Sequence, residues 1–257
     1  MISKTLKEEI KKELIQKIKD KIESYNFSKK SGNPFIDIIF GRFSNIKTFI
    51  HSTATMLGSY YEIIARKIAQ ENPEFIEVKK FVFSGKISDS ESATIKNLVK
   101  DLEEKKTKTD YNNEIKSIYS AKEHNLIDTK ITIDLYLKNK KQKEFFIEMK
   151  GPDPNKKEVR AAKEDLLNIV AMKKRAIKLQ DFNNKVAILF GVYYNNKDKE
   201  YDNWKVSPIF EKDKGLIVQE GFWDLLGGKG TYAELFLILK EIKAEITPLI
   251  EKTINKF

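Results

Sequence analysis

The 257-residue chain contains no cysteine. Disulfides and every zinc site built on thiolates are therefore excluded. Histidine is nearly as scarce. His51 and His124 lie far apart in no metal-binding spacing, which disfavours His-rich metal-nuclease motifs. Arginine stands at four positions, Arg42, Arg66, Arg160 and Arg175. No apolar run reaches the roughly eighteen residues that a membrane-spanning helix needs. The opening "MISKTLKEEIKKEL" is charged throughout and lacks an apolar signal core. These features predict a soluble, cytoplasmic protein. No G-x-x-x-x-G-K-[ST] loop occurs, and "GGKG" at 227–230 is too short to replace it, so no ATP-driven translocation is expected. "GNPF" at 32–35 comes without a G-x-G methyl-donor loop, which argues against a DNA methyltransferase. There is no internal repeat and no low-complexity tail.

Lysine is what the chain has in excess. The net charge is +10 and the sequence pI near 9.3. On a soluble chain of this size a basic excess points to a polyanionic partner, most often nucleic acid. A Lys-, Ile- and Asn-rich composition also fits a biased genome. Hydrophobic residues make up 40%, enough for a sizeable core. We expect a single domain over 1–257, with a helical N-terminal extension (1–44), a core (45–195) and a C-terminal loop and helix region (196–257).

Leu6, Ile10, Leu14, Ile18 and Ile22 recur every fourth residue and predict a helix over 3–25 capped by Ser3. "SGNP" (31–34) starts a short helix at Pro34, and a long helix is expected over 45–71. "FIEVKKFVFSG" (75–85) reads as a strand, 90–105 as a helix and 105–113 as a polar linker. A strand–turn–strand follows over 132–150. Then come a helix over 155–180 with Asn155 as cap, and a buried strand at 185–195. The rest reads as loop (196–230) and a final helix (231–255) with a kink at Pro248. A hairpin followed by a helix and another strand predicts an α/β fold: a mixed central β-sheet flanked by helices, with helical additions at both ends.

The hairpin carries the chemistry. Its second strand, "EFFIEMK", ends in a carboxylate and an ammonium, Glu148 and Lys150. Strict alternation places Ile131, Ile133, Leu135 and Leu137 on one side of the first strand, with Thr132, Asp134 and Tyr136 on the other. Matching the apolar sides pairs Leu135 with Ile147, sets Asp134 opposite Glu148, and closes the hairpin with a loop from Lys140 to Gln142. Two carboxylates so close repel unless a cation sits between them. Hard oxygen ligands open to water suit Mg²⁺. A metal lowers the pKa of bound water and neutralises charge on a phosphodiester. Lys150 is then placed to orient the water or to steady developing negative charge. Glu-x-Lys alone is uninformative, since it also begins at Glu9, Glu77, Glu103, Glu104, Glu114 and Glu241. The opposed Asp134 distinguishes Glu148; the alternative is an ordinary cross-strand pair at a sheet edge.

At these residues the sequence resembles the PD-(D/E)xK nuclease superfamily. Asp134 matches its metal-binding Asp, Glu148 its acidic residue and Lys150 its Lys, with Ile133 in place of the Pro. Further segments resemble the Tde-III-type branch of type II restriction endonucleases. "HSTATMLGSYYEIIARKIA" (51–69) is similar to the helix preceding the core, whose Gly and metal-facing Glu match Gly58 and Glu62. "EMKGPDPNKKEVRAAKEDLL" resembles the catalytic strand running into a helix, and "GFWDLLGGKGTYAELF" (221–236) the Trp–Gly-Gly segment of that branch. The resemblance implies a Mg²⁺-dependent type II restriction endonuclease. A homodimer would read a short symmetric or nearly symmetric duplex site, with a GC-rich sequence and degenerate centre hinted at, and a cognate DNA methyltransferase would be its functional companion. Asp134 and Glu148 would hold the metal with the Met149 carbonyl, Lys150 would position water, and Glu62 would serve as an outer carboxylate. Glu62 has a plainer reading as the partner of Arg66, four residues on.

Lys156, Lys157, Arg160 and Lys163 crowd the start of the helix after the catalytic strand, where free N–H groups favour an anion. They read as phosphate contacts or as a solvated basic face. Asn195, Asn196, Asn203, Trp204 and Lys205 are candidates for base readout through Asn amides. The competing functions are a repair or junction-resolving nuclease on the same core and a non-catalytic DNA-binding protein.

Overall fold

The computed structural model describes residues 2–25, 38–39, 42–197 and 199–254. The element order is α1 (Lys4–Ser24), α2 (Arg42–Glu71), β1 (Phe75–Ser88), α3 (Asp89–Glu103), α4 (Tyr111–Ser120), β2 (Leu126–Asn139), β3 (Glu144–Lys150), α5 (Lys156–Lys173), a 3₁₀ turn (Leu179–Asp181), α6 (Phe182–Lys185), β4 (Val186–Val192), β5 (Leu216–Val218), α7 (Glu220–Gly227) and α8 (Thr231–Ile254). The short helix expected at Pro34 lies outside the described residues. Two units result, Met1–Glu71 with Gly227–Phe257, and Asn72–Leu226.

The first unit is helical. Ser3 Oγ accepts from Leu6 N at 3.1 Å and starts α1. Leu6, Ile10, Leu14 and Ile15 are buried, and α1 packs on α8 and α2. Its apolar stripe therefore finds its partner surface within its own chain. Lys67 of α2 bonds Glu9 at 2.7 Å and Glu13 at 2.8 Å, fixing the register of α1 on α2. Pro248 lies inside α8. The Gly-Gly segment has a packing reason. A Cβ on Gly227 would stand 2.7 Å from Ile68 Cγ2 and 2.5 Å from Thr231 Oγ1, and Gly228 and Gly230 take φ of 90° and 91°.

The second unit holds a five-stranded sheet in the order β1-β2-β3-β4-β5. β1, β2 and β3 are antiparallel, while β4 and β5 join in parallel. The sheet is mixed and flanked by helices, as the sequence predicts. One face packs on α3, α4 and α5 through Ile95, Val99, Ile118, Val159, Leu166 and Val170. On the other face Phe222 of α7 fits over Gly191, where a Cβ would come within 2.8 Å of its ring and 3.2 Å of Ile147. Capping boxes start α3 (Ser88 with Glu91) and α5 (Asn155 with Glu158). The expected cap at Asn155 is thus observed.

α4, α6, β5 and α7 escaped sequence reading. The polar linker runs into α4 at the Asp110 cap, and the expected loop 196–230 contains β5 and α7. Each is short, so its periodicity is weak. β5 is three residues long, too short to show a period, and pairing with β4 fixes it.

Candidate active site

The hairpin closes as expected. Leu135 pairs with Ile147, and Lys140–Gln142 forms the loop, with Gln142 at φ 65°. The faces, however, are not those of strict alternation. Lys79 pairs with Tyr136 and Phe81 with Ile133, so Lys80 alone faces Asp134 and Leu135. This β-bulge reverses the sides of β2. Ile131, Ile133 and Tyr136 all lie in the helix-side core, which excludes Leu135 and Leu137. One inserted residue shifts a period-2 pattern by one, and the expected grouping of Ile131 and Ile133 with Leu135 and Leu137 fails for that reason.

The bulge re-aims Asp134. The β2–β3 ladder ends at Leu135–Ile147, and the Asp134 carboxylate takes over by accepting from Met149 N at 3.0 Å. Lys150 Nζ donates to Glu148 Oε1 at 2.7 Å and stands 3.9 Å from Asp134 Oδ2. Lys80 Nζ approaches Asp134 Oδ1 from β1 at 3.8 Å. The three side chains of the hairpin site are mostly withdrawn from solvent, at 14% exposure for Asp134, 15% for Glu148 and 26% for Lys150. The structure thus brings Asp134, Glu148 and Lys150 together around the Met149 backbone.

Electrostatics define the cluster further. Burial and then the Asp134 charge push the Glu148 carboxyl up to about 7, against the pull of Lys150. Burial opposes the Lys150 charge, but Glu148 and Asp134 outweigh it and raise the ammonium above its ordinary value. Glu158 also acts on Lys150. Asp165 acts on Glu148, and its own carboxyl is raised by burial and then by Glu164, with Lys150 pulling down. Lys80, Glu158 and Asp165 were missed by sequence reading. Glu158 and Asp165 are seven apart on α5, a spacing that shares one helix face and was a usable signal. Lys80 had none, since only the bulge directs it to Asp134.

A carboxyl raised above its unfolded value binds its proton more tightly in the folded state. Glu148 therefore costs stability progressively as pH rises from about 4.5 to about 7. Glu148→Gln is expected to raise the melting temperature of the metal-free protein at pH 8. Each kcal/mol relieved corresponds to about 2–4 °C in a chain of this size. The difference should close at pH 5, where Glu148 is already protonated. Calorimetry at the two pH values checks this, and a variant less stable at pH 8 refutes it.

A divalent cation suits these residues. Two carboxylates with a charge too many, beside a backbone segment rather than further side chains, match an ion that keeps several waters. Among the described residues no group of three or more His, Cys, Asp or Glu side chains is arranged to hold a metal.

The remaining candidates separate. Glu62 belongs to the helical unit, where its carboxylate stands 3.8 Å from Arg66. Lys156 and Lys157 are exposed at the start of α5. Arg160 is exposed too, bonded to Glu164 at 2.8 Å and Glu103 at 3.5 Å. Lys163 is not available to a phosphate. It is 3% exposed, one turn further in, and bonded at 2.5 Å to buried Glu114. The amides of Asn203 and Asn195 also prove committed, while Asn196 is exposed. Asn203 is buried and donates to Pro152 O and Asp153 Oδ1, both at 3.1 Å, and Asn195 donates to Lys199 O at 2.6 Å.

A mixed sheet flanked by helices, with two carboxylates and a lysine at the bulge of one strand and the end of its neighbour, is consistent with the core of a restriction-endonuclease-like nuclease. The chain belongs to the HinfI family of type II restriction endonucleases, whose model matches residues 2–243. It is similar to the type II restriction enzymes HgiEI, 25% identical over 79% of this chain and 75% of that one, and HgiBI, 25% identical over 88% and 85%, both from Herpetosiphon aurantiacus. HgiCII of the same organism is 24% identical over 80% and 75%. No solved structure matches it significantly. The protein is accordingly a site-specific deoxyribonuclease acting on double-stranded DNA. Among the described residues no helix is long and apolar enough to cross a membrane.

Proposed function

We propose that the chain is a Mg²⁺-dependent member of the PD-(D/E)xK superfamily, working as a homodimer on a short symmetric or nearly symmetric site. The observation that carries this reading is the Asp134–Glu148–Lys150 cluster at the β2 bulge and the end of β3. Asp134, Glu148 and the Met149 carbonyl are the proposed oxygen ligands. When bound, Mg²⁺ would acidify water and neutralise phosphodiester charge. Lys150, protonated and tied to Glu148, would then hold the attacking water and the developing charge in place. Glu62 is proposed as an outer carboxylate on the resemblance of its helix alone. Lys156, Lys157 and Arg160 are the proposed backbone contacts, which fix register without reading sequence. The Tde-III-type likeness rests on segments 51–69, 148–167 and 221–236.

Two identical subunits reading identical half-sites would cut one strand each, which accounts for the symmetry. A DNA methyltransferase would protect the same site in the host. Unmethylated plasmid and phage DNA incubated with and without Mg²⁺ should yield discrete bands only with the ion. A smear or cutting confined to branched DNA would favour the repair or junction-resolving reading. Intact but retarded DNA would leave only a binding protein.

A further inference from the structure

Trp204 is 63% exposed, an unusual position for the largest apolar side chain. Lysines flank it: Lys156 Nζ lies 4.7 Å from the ring centroid and Lys205 Nζ 5.8 Å. The loop that carries it is fastened to the segment leaving the catalytic strand. Tyr201 OH donates to Pro152 O at 2.9 Å, Asn203 to Pro152 O at 3.1 Å, and Lys205 to Pro154 O at 3.1 Å and to Asp153. The indole is thus held on a rigid mount that begins two residues after Lys150. Beside it lies a cavity of about 380 Å³, walled by Trp204, Lys156, Val159, Pro208, Glu103 and Glu104. Cavities of about 300–1,000 Å³ hold ligands of small-molecule size.

Glu103 and Glu104 on the wall stand beside Lys105 and are paired with Arg160 and Lys106, and a carboxylate accepts from the exocyclic amine of cytosine or adenine. An indole offers a face to any base. Exposed Lys156 beside the ring suits a phosphate at the mouth. We propose that this cavity receives a nucleobase turned out of the DNA duplex and stacked on Trp204, with Lys156 on a flanking phosphate. Enzymes that extrude a base in this way meet an unstacking cost that aromatic contact offsets. The proposal rests on the chain's reading as a duplex-cutting nuclease.

Intrinsic fluorescence tests it directly, because the chain has two tryptophans and the other, Trp223, is buried. A duplex oligonucleotide spanning a mapped cut site, with Ca²⁺ replacing Mg²⁺, should quench the emission. Trp204→Phe should show no quenching, and Trp204→Ala should bind about tenfold more weakly. 2-Aminopurine placed at successive positions should brighten at one of them with the wild-type protein and not with Trp204→Ala. Binding in a gel without any change in Trp204 emission would overturn the proposal, and so would equal quenching by heparin, which has charge but no bases. Cutting by a protein whose Trp204 stays silent would refute only the base site. Absence of both cutting and binding would remove the nuclease reading with it.

Discussion

Lys150→Ala is expected to lower DNA cleavage by about a thousandfold or more while leaving affinity for duplex DNA within a few-fold. The magnitude is that of removing one preorganised donor aimed at the charge that develops in the transition state. Lys150 is placed for this by the end of β3 and the bulge of β2. Its ammonium bonds Glu148 at 2.7 Å and stands 3.9 Å from Asp134. Both carboxylates hold it protonated, so it acts as a fixed cation rather than a base. Removing it deletes one charge of many on a chain of net charge +10, which leaves overall attraction to DNA nearly intact. Single-turnover cleavage at saturating Mg²⁺, alongside gel retardation with Ca²⁺, separates the two effects. Full activity in the variant would sink the assignment. Loss of affinity and cleavage together would make Lys150 a binding residue instead.

The second large effect concerns stability. Lys163→Ala and Glu114→Ala should each destabilise the protein by about 3–5 kcal/mol, because each strands a charge in the interior. Both side chains are nearly inaccessible, and Glu114 Oε1 has no hydrogen-bond partner. Burial pulls the Lys163 pKa down and the Glu114 pKa up, each opposed by the other member of the pair. Replacing both, by Lys163→Met with Glu114→Leu, should recover most of the loss, since the desolvation cost disappears with the charges. Urea unfolding measures all three. The double variant should also bind DNA like the wild type. Weakened binding at unchanged stability would restore Lys163 to the phosphate contacts suggested by its neighbours in sequence.

Much of the hairpin could be read in advance because its information is local. Loop length and the apolar alternation of β3 suffice to pair Leu135 with Ile147. The comparison among Glu-x-Lys triplets shows where locality stops. Glu77 and Lys79 also pair on a strand, and Glu114 is buried on Lys163, yet neither meets an aspartate across a hairpin. Lys163 looked like part of a basic helix start. Whether a lysine faces DNA or a buried glutamate depends on which helix packs against it, here α4, of which sequence reading covered only 111–113, as the end of a linker.

The sequence by itself determined the hairpin and its register at Leu135, since those rest on turn length and the alternation of β3 over about twenty residues. Only the tertiary structure decided the bulge at Asp134–Leu135, the approach of Lys80, the burial of Lys163 and the commitment of Asn203. These depend on partners far away in the chain, and no local pattern encodes a residue inserted between two strands or the face on which a distant helix comes to rest.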